Sequence, residues 1–298
     1  MGRRPECEQC EPEDRKNEGY LCEKVKAADG LKVRCIHEGS VLKLNVLRYY
    51  LKIFCGAMKN QLGGQHCFID LFSGPGLCHN KDAEFINNQD EKSEIFLPGS
   101  ALIALDQTPA FAKYVFVDIN KDTSDILYKR CKKQFHHLID RIEFVNEDAN
   151  AVTIGRFQDN FGITVVFIDP NGLDIQFDTI YRLSKQRSMD LIINFSILDL
   201  KRNEDNYRQG NDKADLFFGT NKWRNTQKRE WLKLYRSQLK LLGFRAIENE
   251  DECVITVPGK SNAPIYHLIY ASKNKRGLDF WRKTKKKFLQ PDIMDRIQ

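Results

Sequence analysis

The sequence lacks the features that mark membrane and exported proteins. It has no apolar run of about 18 residues, so we expect no membrane-spanning helix and no membrane partner. Its start, Met1 to Cys7, lacks the apolar segment of a secretory signal, so we expect a cytoplasmic protein. Its nine cysteines are odd in number, and in that compartment we expect thiols or metal ligands rather than a disulfide framework.

What the chain does contain is an alternation of apolar runs and helical patterns over 298 residues, which suits one large α/β domain with an appendage. The strand-like runs are 66–72, 114–118, 141–145, 163–168 and 190–195. A helical pattern follows each of the first four, which is typical of βα units on a parallel sheet. Residues 253–257 and 265–271 predict an antiparallel pair that finishes the sheet.

Two domains are predicted. Residues 1–38 form a small Cys-rich appendage, because charges and cysteines replace apolar periodicity there. The main domain covers 39–298 and begins with an amphipathic helix, since Ser40, a good capping residue, precedes an apolar stripe at helical spacing. That stripe consists of Leu44, Leu47, Leu51, Phe54 and Met58. Irregular polar stretches predict insertions at about 77–97 and 198–226.

The net charge of +6 is concentrated near the end of the chain. Residues 273–289 hold eight Lys or Arg against one Asp, so the rest of the chain sums to about −1. Such a basic end predicts contact with DNA or RNA phosphates through Lys283, Lys285, Lys286 and Lys287. The alternative is a basic helix at about 275–290 whose lysines face water while its apolar residues dock on the sheet. Those apolar residues are Leu278, Trp281, Phe288 and Leu289.

The most informative segment is 68–76, where a short apolar strand ends in Asp70 and gives way to a loop with Gly74 and Gly76. Glycine adopts dihedral angles that other residues avoid and lets a ligand approach the backbone, so the loop fits a nucleoside-type cofactor. Polar residues also follow the next three strands, at Asp118, Asp148 and 169–172. Ligands of open α/β sheets bind at this edge.

These motifs, in this order, resemble class I S-adenosylmethionine (SAM)-dependent methyltransferases. More narrowly, five segments are similar to the three-Cys-motif partner proteins (TcmP), and the likeness runs from about residue 20 to 290. The segments are 69–76 (IDLFSGPG), 98–105 (PGSALIAL), 167–173 (FIDPNGL), 190–195 (DLIINF), and Phe218-Gly219 followed by Trp223. A dehydrogenase, by contrast, would need a third glycine where His79 stands.

The resemblance implies a Rossmann-like class I methyltransferase fold, with a mostly parallel seven-stranded sheet and helices on both faces. It implies SAM as cofactor and a functional link to a radical-SAM-like three-Cys-motif protein. The residues that would bind SAM are Asp70, Phe72, Ser73, Gly74, Gly76, Asp118, Asp148 and Ala149. Those that would face the methyl acceptor are Asp169, Pro170 and Asn171. From their place at the end of the fifth strand, Asn194 and Ser196 are second choices to Asp169 for the polar group that orients or deprotonates the acceptor.

One motif departs from the pattern of enzymes that methylate exocyclic amines of bases. They commonly carry Pro and an aromatic residue where this chain has Asn171 and Gly172. We therefore keep two hypotheses: a methyltransferase acting on a nucleic acid, with Asp169 orienting or deprotonating the acceptor, and a non-catalytic SAM-fold subunit that docks a partner enzyme or nucleic acid.

Four cysteines in the appendage, Cys7, Cys10, Cys22 and Cys35, predict a structural zinc site. The segment is too small and polar for a core of its own, which is the setting in which zinc supplies folding energy. His37 is able to replace one thiol. The alternative is four free thiols, as expected for the cysteines in the periodic segments.

Overall fold

A computed structural model of the protein describes residues 21–59, 65–83, 95–152, 162–186, 188–244, 249–259 and 263–289. Seven strands in it form one large sheet. They are β3 (Cys67–Asp70), β6 (Lys113–Val117), β7 (Ile142–Val145), β8 (Thr164–Ile168), β9 (Met189–Phe195), β10 (Val254–Pro258) and β11 (Pro264–Ser272). Their spatial order is β7-β6-β3-β8-β9-β11-β10.

Four of the strand pairings in this sheet are parallel, which confirms the mostly parallel α/β sheet expected from the sequence. β7, β6, β3, β8 and β9 run in one direction. β11 pairs antiparallel with both β9 and β10, as the last two strand-like runs predict. Every residue of β3, β8 and β9 is buried, so both faces of these central strands are covered.

The helices follow the predicted alternation with the strands. They are α1 (Glu38–Met58), α2 (Ser100–Leu105), α3 (Lys121–Gln134), α4 (Phe177–Ser184), α5 (Ile197–Arg202), α6 (Glu204–Arg208), α7 (Lys213–Phe218), α8 (Trp231–Leu241), α9 (Glu250–Cys253) and α10 (Lys275–Leu289). Short 3₁₀ helices cover His136–Arg141, Lys222–Asn225 and Lys228–Glu230. None of the helices in the described part of the chain is long and apolar enough to span a membrane.

Four further strands form a small second sheet: β1 (Leu21–Lys26), β2 (Lys32–Ile36), β4 (Leu77–Asn80) and β5 (Phe96–Pro98). Their order is β1-β2-β4-β5, with β2 parallel to β4. A small core of Val25, Ala27 and Val33 supports it. Strands from the predicted appendage and from the first predicted insertion thus meet in one sheet, because the β1–β2 hairpin alone has too little apolar surface to be stable. The division into domains itself stays a prediction.

The basic helix α10 docks on the large sheet through its apolar face, as the second interpretation of the basic end predicts. Leu278 and Trp281 are buried. Phe288 packs edge-on against Tyr49 of α1, with ring centroids 6.1 Å apart. The side chain of Leu289 lies outside the description. Docking does not exclude phosphate contact by the lysines on the opposite face, and that contact stays a prediction.

Candidate functional site

A cavity of about 550 Å³ lies at the carboxyl ends of the central strands. Residues 72–76 after β3 and 169–172 after β8 line it, together with Asn194 and Ser196 at the end of β9. The first turn of α2 and residues of β2, β4, α1, α5 and α7 also contribute to its wall. Open α/β sheets bind ligands at this edge, so the candidate site lies here.

Two glycines shape the loop after β3. Gly74 and Gly76 have φ of +63° and +89°, which L side chains rarely adopt. A Cβ at Gly76 would lie 2.9 Å from Leu127 of α3, so the loop and that helix pack closely only because residue 76 is glycine. A Cβ at Gly74 would meet nothing within 4 Å. Gly74 therefore presents bare backbone to the cavity, as the sequence predicts for a cofactor loop.

Arg130 of α3 fastens this loop to the small sheet. Its side chain is fully buried, and its Nε lies 2.8 Å from Oδ2 of Asp29 in the turn between β1 and β2. Its Nη1 donates to the carbonyl oxygen of Pro75 at 2.6 Å, and its Nη2 to that of Leu31 at 3.3 Å. Arg130 was not predicted, because a single arginine in a charged helix carries no local signal.

Asp70 lies beneath the loop and is fully buried, so it does not line the cavity. Its Oδ1 accepts the Phe72 N–H at 3.1 Å, which fixes the start of the loop. Ser73 Oγ has no hydrogen-bond partner among the described residues; Asp70 Oδ2 has none within hydrogen-bond distance there, although the nearby Ser100 side chain stabilises the Asp70 carboxylate. Because buried polar atoms are normally bonded, these two provide unused hydrogen-bonding capacity directly under the loop. That capacity fits a polar ligand, or waters that accompany it.

Asp70 makes folding stability depend on pH. Burial raises the pKa of Asp70 to about 7, whereas the unfolded value is about 4. Between these values the folded protein keeps a proton that the unfolded chain releases, so the free energy of unfolding falls as pH rises and levels off above about pH 7. We expect Asp70→Asn, which keeps Oδ1 for the Phe72 N–H, to flatten this fall in urea titrations from about pH 5 to 8. Parallel profiles for the two proteins would contradict the assignment.

Asp118 directly follows β6, beside the glycine loop as predicted. It is half-buried and does not itself line the 550 Å³ cavity. Its carboxylate accepts the N–H of Gly74 at 3.1 Å and that of Asn120 at 2.8 Å. Burial raises the pKa of Asp118, and these two N–H groups oppose the rise. Each carboxylate oxygen keeps a further lone pair that can accept from a ligand hydroxyl. The next residue, Ile119, is 72% exposed and offers an apolar surface that the sequence analysis missed.

Asp148 and Ala149 follow β7, where the sequence predicts the adenine end of a cofactor. Asp148 is exposed, and its Oδ1 accepts the Asn150 N–H at 2.8 Å, which is the bonding of a turn residue. Ala149 is buried. Neither residue lines the 550 Å³ cavity. Their role in cofactor binding stays a prediction.

Asp169 faces the other half of the cavity and is held by two neighbours on one oxygen. Its Oδ1 lies 2.6 Å from Nζ of Lys43 and accepts from Nδ2 of Asn194 at 2.8 Å. The predicted residues Asp169 and Asn194 are therefore brought together. The sequence analysis missed Lys43, although it falls on the buried face of α1, where a lysine is unusual. Its ammonium also lies over the Tyr266 ring, 5.0 Å from the centroid.

Asn171 and Gly172, the residues that depart from the base-methylating pattern, have a structural explanation. Gly172 has φ of +61°, and a Cβ there would lie 2.9 Å from Cγ of Asp199 on α5. Tyr207 donates to Asp199 at 2.8 Å and holds its carboxylate over the loop. An aromatic residue at 172 would therefore clash. Asn171 instead accepts a hydrogen bond from Arg34 of β2.

The cysteine prediction is only partly within the described residues, because Cys7 and Cys10 lie outside them. A hydrogen bond with Cys35 lowers the pKa of the Cys22 thiol to about 6. Cys35 Sγ lies 3.6 Å from Nδ1 of His79, while His37, the alternative ligand, pairs with Asp82 at 3.2 Å. Within the described ranges, no group of three or more His, Cys, Asp or Glu could hold a metal ion.

No family model matches the chain, and no curated protein is significantly similar to it. Among solved structures, a protein from Legionella pneumophila matches 83% of this chain and 92% of its own length, with 10% identity and a TM-score of 0.47. Magnesium protoporphyrin IX methyltransferase from Synechocystis, with bound SAM, matches 79% of this chain and 80% of its own, with 9% identity and a TM-score of 0.43. The methyltransferase domain of bacterial CtHen1 matches 76% of this chain and 100% of its own, with 12% identity and a TM-score of 0.41. Values this low carry no weight in assigning a reaction, so the fold assignment rests on the strand order.

Proposed function

We propose that the protein is a SAM-dependent methyltransferase. One observation carries this proposal: the positive-φ glycine loop, with unused polar atoms of Asp70 and Ser73 beneath it, shares one cavity with the Asp169 carboxylate. A cofactor site and an acceptor site in contact are what a group transfer needs. Bound SAM would supply an activated methyl group. Asp118 would accept hydrogen bonds from the ribose, and Gly74 would let the cofactor approach the backbone.

On the acceptor side, this chain's residues orient the nucleophile and take up its proton. Oδ1 of Asp169 is fixed by Lys43 and Asn194, which leaves Oδ2 to accept from an N–H or O–H of the acceptor. Pro170 is buried and stiffens the loop that carries Asn171. With Asp169 held in this way, the acceptor atom meets a carboxylate that does not need to reorganise.

Asp118→Ala is expected to weaken SAM binding by about 1–3 kcal/mol, because two ribose hydroxyls lose a charged acceptor. Calorimetric titration with SAM measures this directly. Asp125→Ala is the matched control, since that carboxylate is exposed on α3 and pairs with Lys121 at 2.7 Å. Equal affinity of folded Asp118→Ala and wild type would exclude the cofactor assignment. Tighter binding of NAD than of SAM would do so as well.

The proposal also specifies the class of molecule that accepts the methyl group. We infer a nucleic acid, with Lys283, Lys285, Lys286 and Lys287 as candidate phosphate contacts on α10. Two of these lysines also have contacts within the protein: Lys285 donates to the carbonyl of Asp251 at 2.5 Å, and Lys287 lies 5.1 Å from the Tyr49 ring centroid. The TcmP resemblance adds a radical-SAM-like three-Cys-motif protein as the proposed partner.

The second candidate function is a non-catalytic SAM-fold subunit. The Gly172 position favours it, because Asp199 occupies the space where a base-stacking aromatic residue would lie. SAM binding without methylation of any nucleic acid or of the partner would support this candidate. Structural zinc at Cys7, Cys10, Cys22 and Cys35 stays part of the proposal. Elemental analysis of protein purified without added metal checks it, with about one zinc per chain expected.

A further inference from the structure

The wall of the cavity carries an excess of positive charge. Five cationic side chains line it: Arg34, Lys43, Lys81, Arg202 and Lys213. Three acidic side chains do so, namely Asp169, Asp174 and Asp199. A cleft with an excess of one sign of charge concentrates ligands of the opposite sign. The cationic side chains, called the cationic rim below, therefore favour acceptors that carry negative charge.

Two of these cationic side chains form ion pairs with carboxylates of the cavity wall, and the excess positive charge remains after this pairing. Lys43 pairs with Asp169, and Nζ of Lys213 lies 2.5 Å from Oδ1 of Asp174. The third carboxylate, Asp199, accepts from Tyr207 and Asn203. Arg34 has the neutral amide of Asn171 as its partner across the loop, and Arg202 is exposed on α5. These two guanidinium groups keep donors for an incoming anion, and guanidinium groups suit phosphate.

The carboxylate at the reacting position is already neutralised. The Lys43 side chain is 9% exposed and lies 2.6 Å from Asp169 Oδ1, so the pair presents little net charge to the cavity. A protonated amine, such as the lysine side chain of a protein substrate, would gain no counter-charge here and would face the cationic rim. A molecule that carries phosphates and a neutral N–H group would instead be attracted by the cationic rim, and its N–H group could donate to Asp169 without bringing a positive charge.

The geometry points to a phosphate-bearing nucleic acid strand as the acceptor, entering between the small sheet and α5 with phosphates on Arg34 and Arg202 and an uncharged nitrogen at Asp169. This inference rests on the proposed function. In the transfer, the nitrogen lone pair forms the bond to the methyl carbon of SAM, and the carbon–sulfur bond breaks with its electron pair going to sulfur. The nitrogen then releases its proton to Asp169 Oδ2 and from there to water.

A binding experiment on the full chain separates this rim from the basic helix. The probe is a labelled single strand of about 15 nucleotides, as RNA and as DNA, titrated over a range of salt. The rim variant carries Arg34→Gln and Arg202→Gln. The comparison variant carries Lys283→Gln and Lys286→Gln, which removes the same charge from exposed positions of α10 that are the competing candidates for phosphate contact.

We expect the rim variant to flatten the dependence of log affinity on log salt by about 1.4, the value for two phosphate contacts on a single strand, and the helix variant to change it less. A larger effect of the helix variant overturns the inference, as does tighter binding of a lysine-rich peptide than of either strand. Calorimetry with SAM on the same proteins tests the proposed function separately. If the wild-type protein did not bind SAM, the proposed function and the acceptor role of the strand would both fail, although strand binding at the rim would stand. If SAM bound but strand binding ignored the rim variant, this inference alone would fail.

Discussion

Trp281→Ala should lower the free energy of unfolding by about 3–5 kcal/mol, which is among the largest losses expected for one side chain. The ring is fully buried. It stacks on Tyr270 of β11 at 5.4 Å and meets Tyr50 of α1 edge-on at 5.8 Å. Removing it leaves a cavity between helix and sheet that neighbours can only partly fill, because the helix backbone already packs so closely here that a Cβ at Gly277 would clash with the Tyr270 hydroxyl.

Lys283→Ala is the matched control for that prediction. Lys283 lies on the same helix but is exposed, and alanine and lysine have similar helix propensities. We therefore expect a change within about 0.5 kcal/mol. Equilibrium unfolding in urea measures both variants. If Trp281→Ala cost no more than Lys283→Ala, α10 would not be docked by its apolar face.

Arg130→Met should destabilise the protein by about 3 kcal/mol and also weaken SAM binding. The substitution keeps much of the apolar stem but removes the cation paired with Asp29 and the donors to Pro75 and Leu31. The Asp29 side chain is 11% exposed, so water can reach its carboxylate once the arginine is removed. We therefore expect a cost at the lower end of the range for broken buried ion pairs. The freed Pro75 carbonyl lies within the glycine loop after β3, so the loop loses a fixed anchor.

Lys129→Met serves as the control for Arg130→Met, because Lys129 is the exposed neighbour on α3. Urea unfolding gives the stability change, and calorimetry with SAM on the folded variants gives the affinity change. A destabilised Arg130→Met protein with wild-type SAM affinity would show that Arg130 supports the small sheet without positioning the loop. Wild-type stability would contradict the buried pair itself.

The sequence alone determined the large sheet and the order of its polar strand ends. Buried parallel strands are continuous apolar runs, so β3, β6, β8 and β9 were visible locally, and the residues after them had to meet at one edge. Asp169 and Asn194 were predicted in this way, and they share a hydrogen bond. The hydrogen bond that Asp148 accepts within its own turn was not visible in the sequence, because an aspartate that binds a ligand and one that bonds its own turn have the same local sequence.

The tertiary structure decided which side chains surround these predicted positions. Lys43 meets Asp169 across 126 residues of sequence and Arg130 meets Asp29 across 101, so no local pattern pairs them. The same holds for the small sheet, whose strands come from two segments that neither form a core alone nor show strong periodicity. Hydrophobic periodicity is a property of neighbouring residues, whereas charge pairing in a cavity depends on three-dimensional proximity. The sequence therefore determined the scaffold and the sheet edge that carries the candidate site, and only folding decided the charge at that edge.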